Sequence, residues 1–164
     1  MYHLIVKRTI VAAFDALSRG DRDALIGQMS PAVHHNFPGD HALGGERTNR
    51  EDIGAWLDRL FRLFPGLGFT VHATSVSGPP WNTVMSAEWT NSGTLPDNTP
   101  YRDSGAHILV LRWGRLTSFH AYLHDADEPR QALLRLFAHG LKEAAAPPIV
   151  SIRPAPAQPG RQAA

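Results

Sequence analysis

The most informative stretch of the sequence is YRDSGAHILVLRWGRLTSFHAYL, residues 101–123. Apolar and polar side chains alternate on both sides of Trp113-Gly114-Arg115, which is typical of two strands joined by a tight hairpin. Gly105 interrupts the first run and predicts a bulge or bend, a device that curls an antiparallel sheet. We therefore expect strands over 101–113 and 116–123.

Towards the N-terminus of this hairpin, the alternation of apolar and polar residues continues as far as residue 69. Before that point the apolar residues follow a helical period instead. Residues 69–77 and 83–95 predict two more strands, so 69–123 forms an antiparallel meander. Further upstream, apolar residues recur at spacings of three and four, which predicts helices over 4–17, 21–29 and 49–64 and a short strand over 33–37. A last helix is expected over 128–145. This order of elements favours an α+β fold with helices packed on one face of the sheet.

The bulk composition predicts a single soluble domain. With 164 residues and 43% apolar content, the chain has enough material for one core, which we place at 1–146, followed by a disordered Pro- and Ala-rich tail at 147–164. The net charge is +1 and no block of like charge occurs, so neither nucleic acid nor an anionic membrane is an expected partner. Charges at Lys7 and Arg8 exclude a signal peptide or membrane span over the first residues, so a cytoplasmic location is expected.

Metal and disulfide chemistry are not predicted. The chain has no cysteine, which excludes disulfides and cysteine-bound metals. Its nine histidines follow no zinc-motif spacing, so we expect no metal and no cofactor.

Polar side chains fall in register on the last two predicted strands. One face of the final strand and its end carries Ser118, His120, Tyr122 and His124, and one face of the preceding strand carries Tyr101, Asp103 and His107. If these faces point inside a bent sheet, they line an apolar pocket together with Trp56, Phe61, Phe69 and Trp89. If they point to solvent, the opposite faces form the core. Alternation alone does not decide between the two arrangements.

Three segments carry a resemblance to a known family: SPAVHHNFPG at 30–39, EWTNSGT at 88–94 and GRLTSFHAYLHDAD at 114–127. Over residues 5–142 the chain resembles the SnoaL-like polyketide cyclases of the nuclear transport factor 2-like superfamily. The resemblance implies a cone-shaped α+β fold, in which a strongly curved mixed or antiparallel sheet wraps around three N-terminal helices and encloses a pocket, plus a C-terminal helix. It also implies a homodimer through the outer sheet face, which would bury Phe119 and Leu123 between subunits.

The resemblance implies candidate site residues as well. His35 and Asn36 match a family pair at the end of the first strand, and Tyr122 stands where the family places an aromatic before its catalytic aspartate. Here His124 occupies the aspartate position and Asp125 follows it. Either His124 transfers the proton, or Asp125 reaches the pocket through a bulge, or the acid is absent. We take His124 as the first candidate.

The resemblance, together with these residues, implies a cofactor-free cyclase or isomerase of secondary metabolism that acts on a polyketide-like or other small hydrophobic molecule. Histidine titrates near neutrality and can give or take a proton. Asp103 could hold His107 or His124 in one tautomer, and Tyr122 could donate to a developing oxyanion. The residues expected to contact the substrate are His35, Asn36, Trp56, Phe61, Glu88, Trp89 and His120.

Two alternatives remain open. An epoxide hydrolase or epoxide-opening ether-ring cyclase would need carboxylates in the pocket, for which Glu88, Asp103 and Asp125 are available. Glu88 can equally be a surface strand residue. A non-catalytic ligand-binding or dimerisation module would need no acid at all.

Overall fold

The structure is a computed structural model that describes residues 1–151. The helices are α1 (Tyr2–Ser18), α2 (Arg22–Gly27), α3 (Arg50–Leu63) and α4 (Glu128–Ala138), and a 3-10 turn spans Lys142–Ala145. The strands are β1 (Met29–Phe37), β2 (Gly45–Arg47), β3 (Gly68–Ser77), β4 (Thr83–Thr94), β5 (Pro100–Arg112) and β6 (Arg115–Leu123). This is the α+β fold expected from the sequence.

One curved mixed sheet contains all six strands, in the order β2-β1-β6-β5-β4-β3. The predicted meander is present as β3 to β6, whose neighbours are all antiparallel. Strand β1 extends the sheet by pairing with β6 in the parallel direction. The sheet therefore brings β1 and β5 close together on either side of β6.

Capping side chains fix where two of the N-terminal helices begin. Asp21 accepts a hydrogen bond from Ala24 N at 3.1 Å at the start of α2, and Asn49 accepts one from Asp52 N at 2.8 Å at the start of α3. The inner face of α1 packs on β4 and β5 in one apolar cluster, while α3 and α4 pack with β1 in a second. The site lies where these two clusters meet.

Gly105 does not form the predicted bulge. It pairs regularly with Trp89 on one side and Leu123 on the other, and the register shift between β5 and β6 lies at Val110 and Leu111 instead. A side chain at Gly105 would place its Cβ 2.3 Å from the Tyr122 carbonyl oxygen. The glycine is therefore needed for close approach of two strands.

The element boundaries differ from the predictions at both ends of the chain. Strand β1 begins at Met29 rather than at residue 33, and the three-residue β2 was not predicted because it is too short to show a period. The last predicted helix ends at Ala138, because Gly140 adopts φ 101° and breaks it before the 3-10 turn.

Part of the predicted tail is packed onto the domain. Ser151 N donates to the Glu46 carbonyl at 3.0 Å, and Ser151 Oγ donates to Asp52 at 2.5 Å. The Ile149 carbonyl accepts from Arg47 at 2.8 Å. Residues 149 and 151 of the predicted tail therefore contact the domain, and residues 152–164 lie outside the described residues. No helix within residues 1–151 is long and apolar enough to cross a membrane.

Candidate active site

An apolar cavity of about 120 Å³ lies between the sheet and the helices. Its walls are mostly aliphatic and aromatic side chains from α1, α3 and the inner faces of β1, β4, β5 and β6. The polar side chains on these walls are Thr9, Gln28, His35, Asn91, Tyr101, Asp103 and His107. A few polar groups in a concave apolar space are the usual features of a small-molecule site.

His35 on β1 presents one ring nitrogen that has no partner. The side chain is fully buried, stacks on Phe119 with ring centroids 4.2 Å apart, and meets Trp56 edge-on. Its Nδ1 accepts a hydrogen bond of 3.1 Å from Arg47 Nε, which leaves Nε2 as the protonated nitrogen. Nε2 is buried without a hydrogen-bond partner among the described residues. His35 therefore offers an N–H donor that a ligand could satisfy.

Arg47 on β2 determines which nitrogen of His35 carries the proton and helps to keep the ring neutral. Its guanidinium is buried and donates to the carbonyl oxygens of Gly44, Gly45 and Ile149 as well as to His35. Burial lowers the pKa of Arg47 to about 10, so it remains charged at neutral pH. Burial lowers the pKa of His35 well below 6.5, and the Arg47 charge lowers it further. His35 is therefore neutral at pH 7.

His107 on β5 is held in the same way by a different donor. Trp89 Nε1 donates to His107 Nδ1 at 2.7 Å, so His107 also carries its proton on Nε2. Burial lowers the pKa of His107 to about 4. The partner that orients His107 is thus Trp89 rather than Asp103, which was expected to hold either His107 or His124.

Asp103 lies on the same face of β5 as His107 and marks the other end of the cavity. Its Oδ1 accepts from Ser104 N at 2.7 Å, while its Oδ2 is buried without a partner among the described residues. Burial raises the pKa of the carboxyl, and the charges of Glu128 and Asp125 raise it further, which together outweigh the lowering effect of Ser104 N and the nearby Tyr101 hydroxyl. Asp103 is therefore a carboxyl group suited to exchange protons nearer neutrality than an exposed aspartate.

Two potential donors surround this carboxyl group. Asn91 pairs with Asp103 across β4 and β5, and its Oδ1 accepts from Asp103 N at 2.9 Å, which leaves its amide N–H groups for other partners. Tyr101 is two residues away on the same face, and burial together with the Asp103 charge raises the pKa of its hydroxyl. Both side chains line the cavity as neutral donors.

The histidine end and the Asp103 end lie far apart along β5. Asp103 and His107 are four residues apart on one strand, which corresponds to roughly 13 Å between their Cα atoms. His35 joins His107 at one end, since Phe119 stacks against both rings, with centroids 4.2 and 6.5 Å away. The cavity therefore suits an elongated molecule with polar groups at both ends.

The pocket hypothesis required the face of β6 that carries His120 and Tyr122 to point inwards, but the opposite face lines the cavity. Phe119 and Leu123 line the cavity, whereas Tyr122 is 59% exposed, and His124 and Asp125 are exposed beyond the strand. Phe119 and Leu123 are large apolar side chains, so turning their face inwards removes more apolar surface from water than turning the polar face inwards would. Phe119 and Leu123 consequently do not lie on the outer face as expected for a dimer.

The predicted substrate residues separate into two groups. Trp56 and Trp89 line the cavity with His35. Phe61 lies in an adjoining cleft beside Gly20, and Asn36, Glu88 and His120 are absent from the cavity wall. His120 instead contacts His34, with ring centroids 4.9 Å apart, and Ser118 on the outer face.

Arg47 and Asn91 were not recognised as site residues from the sequence. Arg47 occurs in a polar loop among several other arginines, so nothing local distinguishes it. Asn91 could have been found, because it shares the inward alternation of Trp89 on the same strand. Within residues 1–151, no group of three or more histidine and carboxylate side chains is placed to hold a metal ion.

Solved structures share this architecture. A nuclear transport factor 2-like protein of unknown function from Burkholderia pseudomallei aligns with a TM-score of 0.68 at 16% identity, over 77% of this chain and 95% of that one. A ketosteroid isomerase-like protein from Catenulispora acidiphila, solved with trimethylamine, aligns with a TM-score of 0.63 at 22% identity, over 76% and 91%. A candidate polyketide cyclase from Xanthomonas campestris aligns at 0.56 and 21% identity, over 71% and 87%. These likenesses define the fold as nuclear transport factor 2-like.

The family to which the chain belongs can be stated more narrowly than its fold. The model of the SnoaL-like domain matches residues 10–119, which is more than half of the chain. The protein therefore belongs to the SnoaL-like domain family, as the sequence motifs indicated. No curated protein matches it significantly.

Proposed function

We propose that the protein is a cofactor-free enzyme that isomerises or cyclises an elongated, apolar carbonyl compound, with Asp103 as the proton-transfer group. One observation carries this proposal. Among residues 1–151, His35 Nε2 and Asp103 Oδ2 are both buried without hydrogen-bond partners, and both belong to side chains that line one apolar cavity. Leaving a buried polar atom unpaired costs about 1–3 kcal/mol, so such atoms commonly mark where a ligand binds.

The two ends of the cavity would have different tasks. The Nε2–H groups of His35 and His107 would each donate to a carbonyl oxygen and so anchor the far end of the substrate. At the other end, the Asp103 carboxylate would remove a proton from a carbon next to a second carbonyl. The electron pair of the C–H bond would move onto that oxygen as an enolate, which hydrogen bonds from Asn91 and Tyr101 would stabilise.

The proton on Asp103 then has two destinations. Its return to a different carbon of the enolate gives an isomer. Alternatively, the enolate carbon attacks another carbonyl in the same molecule, a C–C bond forms, and the new alkoxide takes the proton from Asp103. Both routes restore the carboxylate and need no outside electron donor or acceptor.

The placement of the carboxylates favours this chemistry over epoxide opening. Opening an epoxide by water or an internal hydroxyl calls for one acid and one base near the ring. Of the three candidate acids, Asp103 lines the cavity, whereas Glu88 and Asp125 are exposed. His124 is exposed as well, and this supports Asp103 rather than His124 as the proton-transfer group.

Hydrogen exchange tests the proposal without knowledge of the natural substrate. Apolar β,γ-unsaturated ketones, whose uncatalysed exchange is slow at neutral pH, are incubated with the protein in D2O, and deuterium uptake next to the carbonyl is followed by NMR. Removal of a general base typically costs about 10²–10⁴-fold, so Asp103→Asn should lower the exchange rate by that factor. Asp15→Asn, an exposed carboxylate on α1, is the matched control and should exchange like the wild type.

A second variant tests whether His124, rather than Asp103, is the base. His124→Ala should leave exchange within about twofold of the wild type if Asp103 is the base. Loss of exchange in His124→Ala with none in Asp103→Asn would show that the exposed imidazole acts, and the proposal would fail. Tight binding of the ketones with no exchange at any pH would identify a binding module instead.

A further inference from the structure

Two exposed tryptophans lie side by side at one end of the sheet. Trp81 in the β3–β4 turn is 57% exposed, Trp113 in the β5–β6 turn is 73% exposed, and their ring centroids are 6.0 Å apart. Trp113 N donates to the Pro80 carbonyl at 2.7 Å, which joins the two turns. The pair is thus a fixed aromatic surface, in contrast to the buried Trp56 and Trp89.

The first turn of α1 adjoins the β3–β4 turn, which carries Trp81. His3 Nε2 donates to the carbonyl oxygen of Gly78 at 2.9 Å, at the start of the turn that carries Trp81. Leu4 and Ile5 next to it are 53% and 57% exposed. We call the surface formed by Leu4, Ile5, Trp81 and Trp113 the tryptophan end.

The backbone at Trp113 is strained for its side chain. Trp113 and Gly114 form a two-residue hairpin turn with φ of 51° and 76°, the signs of a type I′ turn. Asn-Gly and similar pairs are preferred there, and a bulky residue at positive φ is an outlier. Because the indole is mostly exposed, packing inside the domain does not offset this strain. Strain of this kind commonly accompanies a functional surface.

The charged residues in the three segments that carry the tryptophan end are all of one sign. Its three segments, 1–9, 78–83 and 112–116, contain Lys7, Arg8, Arg112 and Arg115 and no aspartate or glutamate. Tryptophan and basic side chains are the residues that anchor proteins at the surface of an anionic bilayer. The segments are distant in sequence, which explains why no charged block is visible in the sequence itself.

The cavity reaches the surface next to the same place. Gly114, which follows Trp113, is exposed and also lines the cavity, and Thr9 of α1 lines it as well. An apolar molecule that leaves a bilayer at the tryptophan end would therefore have a short path into the protein.

We propose that the tryptophan end docks the protein on the surface of anionic phospholipid bilayers. The tryptophans and Leu4 and Ile5 enter the interface, and the four cations face the lipid phosphates. Delivery of an apolar substrate from the bilayer into the cavity is a consequence that rests on the proposed function, whereas docking does not.

Vesicle binding by the full chain tests the proposal. The protein is mixed with vesicles of phosphatidylcholine containing a quarter of phosphatidylglycerol, and the bound fraction is measured by flotation. Brominated lipids then report which tryptophans enter the bilayer, since bromine quenches only nearby indoles. We expect binding to anionic vesicles, quenching of part of the tryptophan fluorescence, and loss of binding in high salt, where charges are screened.

Paired variants separate the tryptophan end from the rest of the surface. The double variant Trp81→Ala, Trp113→Ala should bind anionic vesicles at least about tenfold more weakly and lose the quenching, because the apolar anchors are gone. Phe137→Ala, which removes an aromatic that is 50% exposed on α4, should bind like the wild type. Arg8→Glu with Arg112→Glu should likewise abolish binding, whereas Arg130→Glu on α4 should not. Circular dichroism confirms that each variant is folded.

Three results would overturn the proposal. The first is no binding to anionic vesicles at low salt. The second is binding that the two tryptophan substitutions leave unchanged. The third is a change in oligomeric state caused by those substitutions in sedimentation experiments, which would assign the tryptophan end to a contact between copies of the chain. Turnover of ketones is measured separately, so failure of docking and failure of the proposed catalysis are distinguishable.

Discussion

His35 and His107 illustrate how burial changes what a histidine can do. The sequence suggested imidazoles that titrate near neutrality and move protons. In the structure each Nδ1 accepts from a fixed donor, Arg47 or Trp89, and burial lowers both pKa values. The rings are therefore neutral N–H donors at physiological pH, and the group suited to proton exchange is the buried carboxyl of Asp103.

The free energy of unfolding should decrease in mild acid, because the pKa of His107 is lower in the folded than in the unfolded protein. The unfolded chain binds a proton at His107 below about pH 6.5, whereas the folded chain does so only below about 4. The unfolded state thus gains protons between these values, so the free energy of unfolding decreases as the pH falls from 6.5 to 4. The difference corresponds to at most roughly 3 kcal/mol for this group. Urea unfolding at a series of pH values measures it.

Two variants test the source of this pH dependence. His107→Gln can still accept from Trp89 but cannot titrate, so its unfolding free energy should change less between pH 6.5 and 4. His139→Gln, an exposed residue after α4, should keep the wild-type slope. Equal slopes in all three proteins would contradict the assignment to His107.

At this scale the sequence indicates which side chains share a face but not which face is inside. The inward placement of Asp103 and His107 and the outward placement of Tyr122 follow from competition between two faces of a sheet, which periodicity alone does not resolve. Arg47 shows a second limit. Its importance depends on carbonyl groups of Gly44, Gly45 and Ile149 that converge on it only in the fold.

The elements themselves were largely predictable, because long runs with a clear period dominate the chain. Strands β3 to β6 and helices α1 and α3 lie within a few residues of the expected ranges. The parallel pairing of β1 with β6 was not predicted, since it joins segments about eighty residues apart in the chain and leaves no local signal. This pairing is what places His35 beside Phe119 and therefore in the cavity.

Gly105 provides a test of strand packing. An added Cβ would lie 2.3 Å from the Tyr122 carbonyl oxygen and 3.1 Å from the Trp89 ring, and neither the strand backbone nor the buried indole can move freely. Gly105→Ala should therefore lower the free energy of unfolding by about 1–3 kcal/mol, the usual cost of overpacking. Chemical denaturation measures this loss.

The matched control is a glycine with free space around it. Gly27 at the end of α2 has no atom of residues 1–151 within 4 Å of an added Cβ, so Gly27→Ala should leave stability unchanged or slightly higher. If Gly105→Ala were as stable as Gly27→Ala, β5 and β6 would not approach as closely as the structure shows.

For the molecule as a whole, the fold brings together groups that the sequence keeps apart. The net charge of +1 gives no sign of a basic surface, yet the three segments that carry the tryptophan end contain four cations and no carboxylate side chain. Likewise, the cavity is formed by five strands and the helices packed on them, so no single segment predicts its volume. Family resemblance supplied the expectation of a pocket, and the structure determines which side chains line it.

The cavity should make the stability of the whole molecule depend on apolar ligands. An uncharged fluorescent probe such as N-phenyl-1-naphthylamine should bind and raise the melting temperature, because a ligand at 100 times its Kd stabilises the folded state by about 2.7 kcal/mol. Ala13 on α1 lines the cavity, so Ala13→Phe should fill part of the space and weaken probe binding by about tenfold or more. Ala12→Phe, on the exposed side of the same helix, should bind the probe like the wild type. Equal binding by the two variants would place the probe outside the cavity and contradict the view that this space admits ligands.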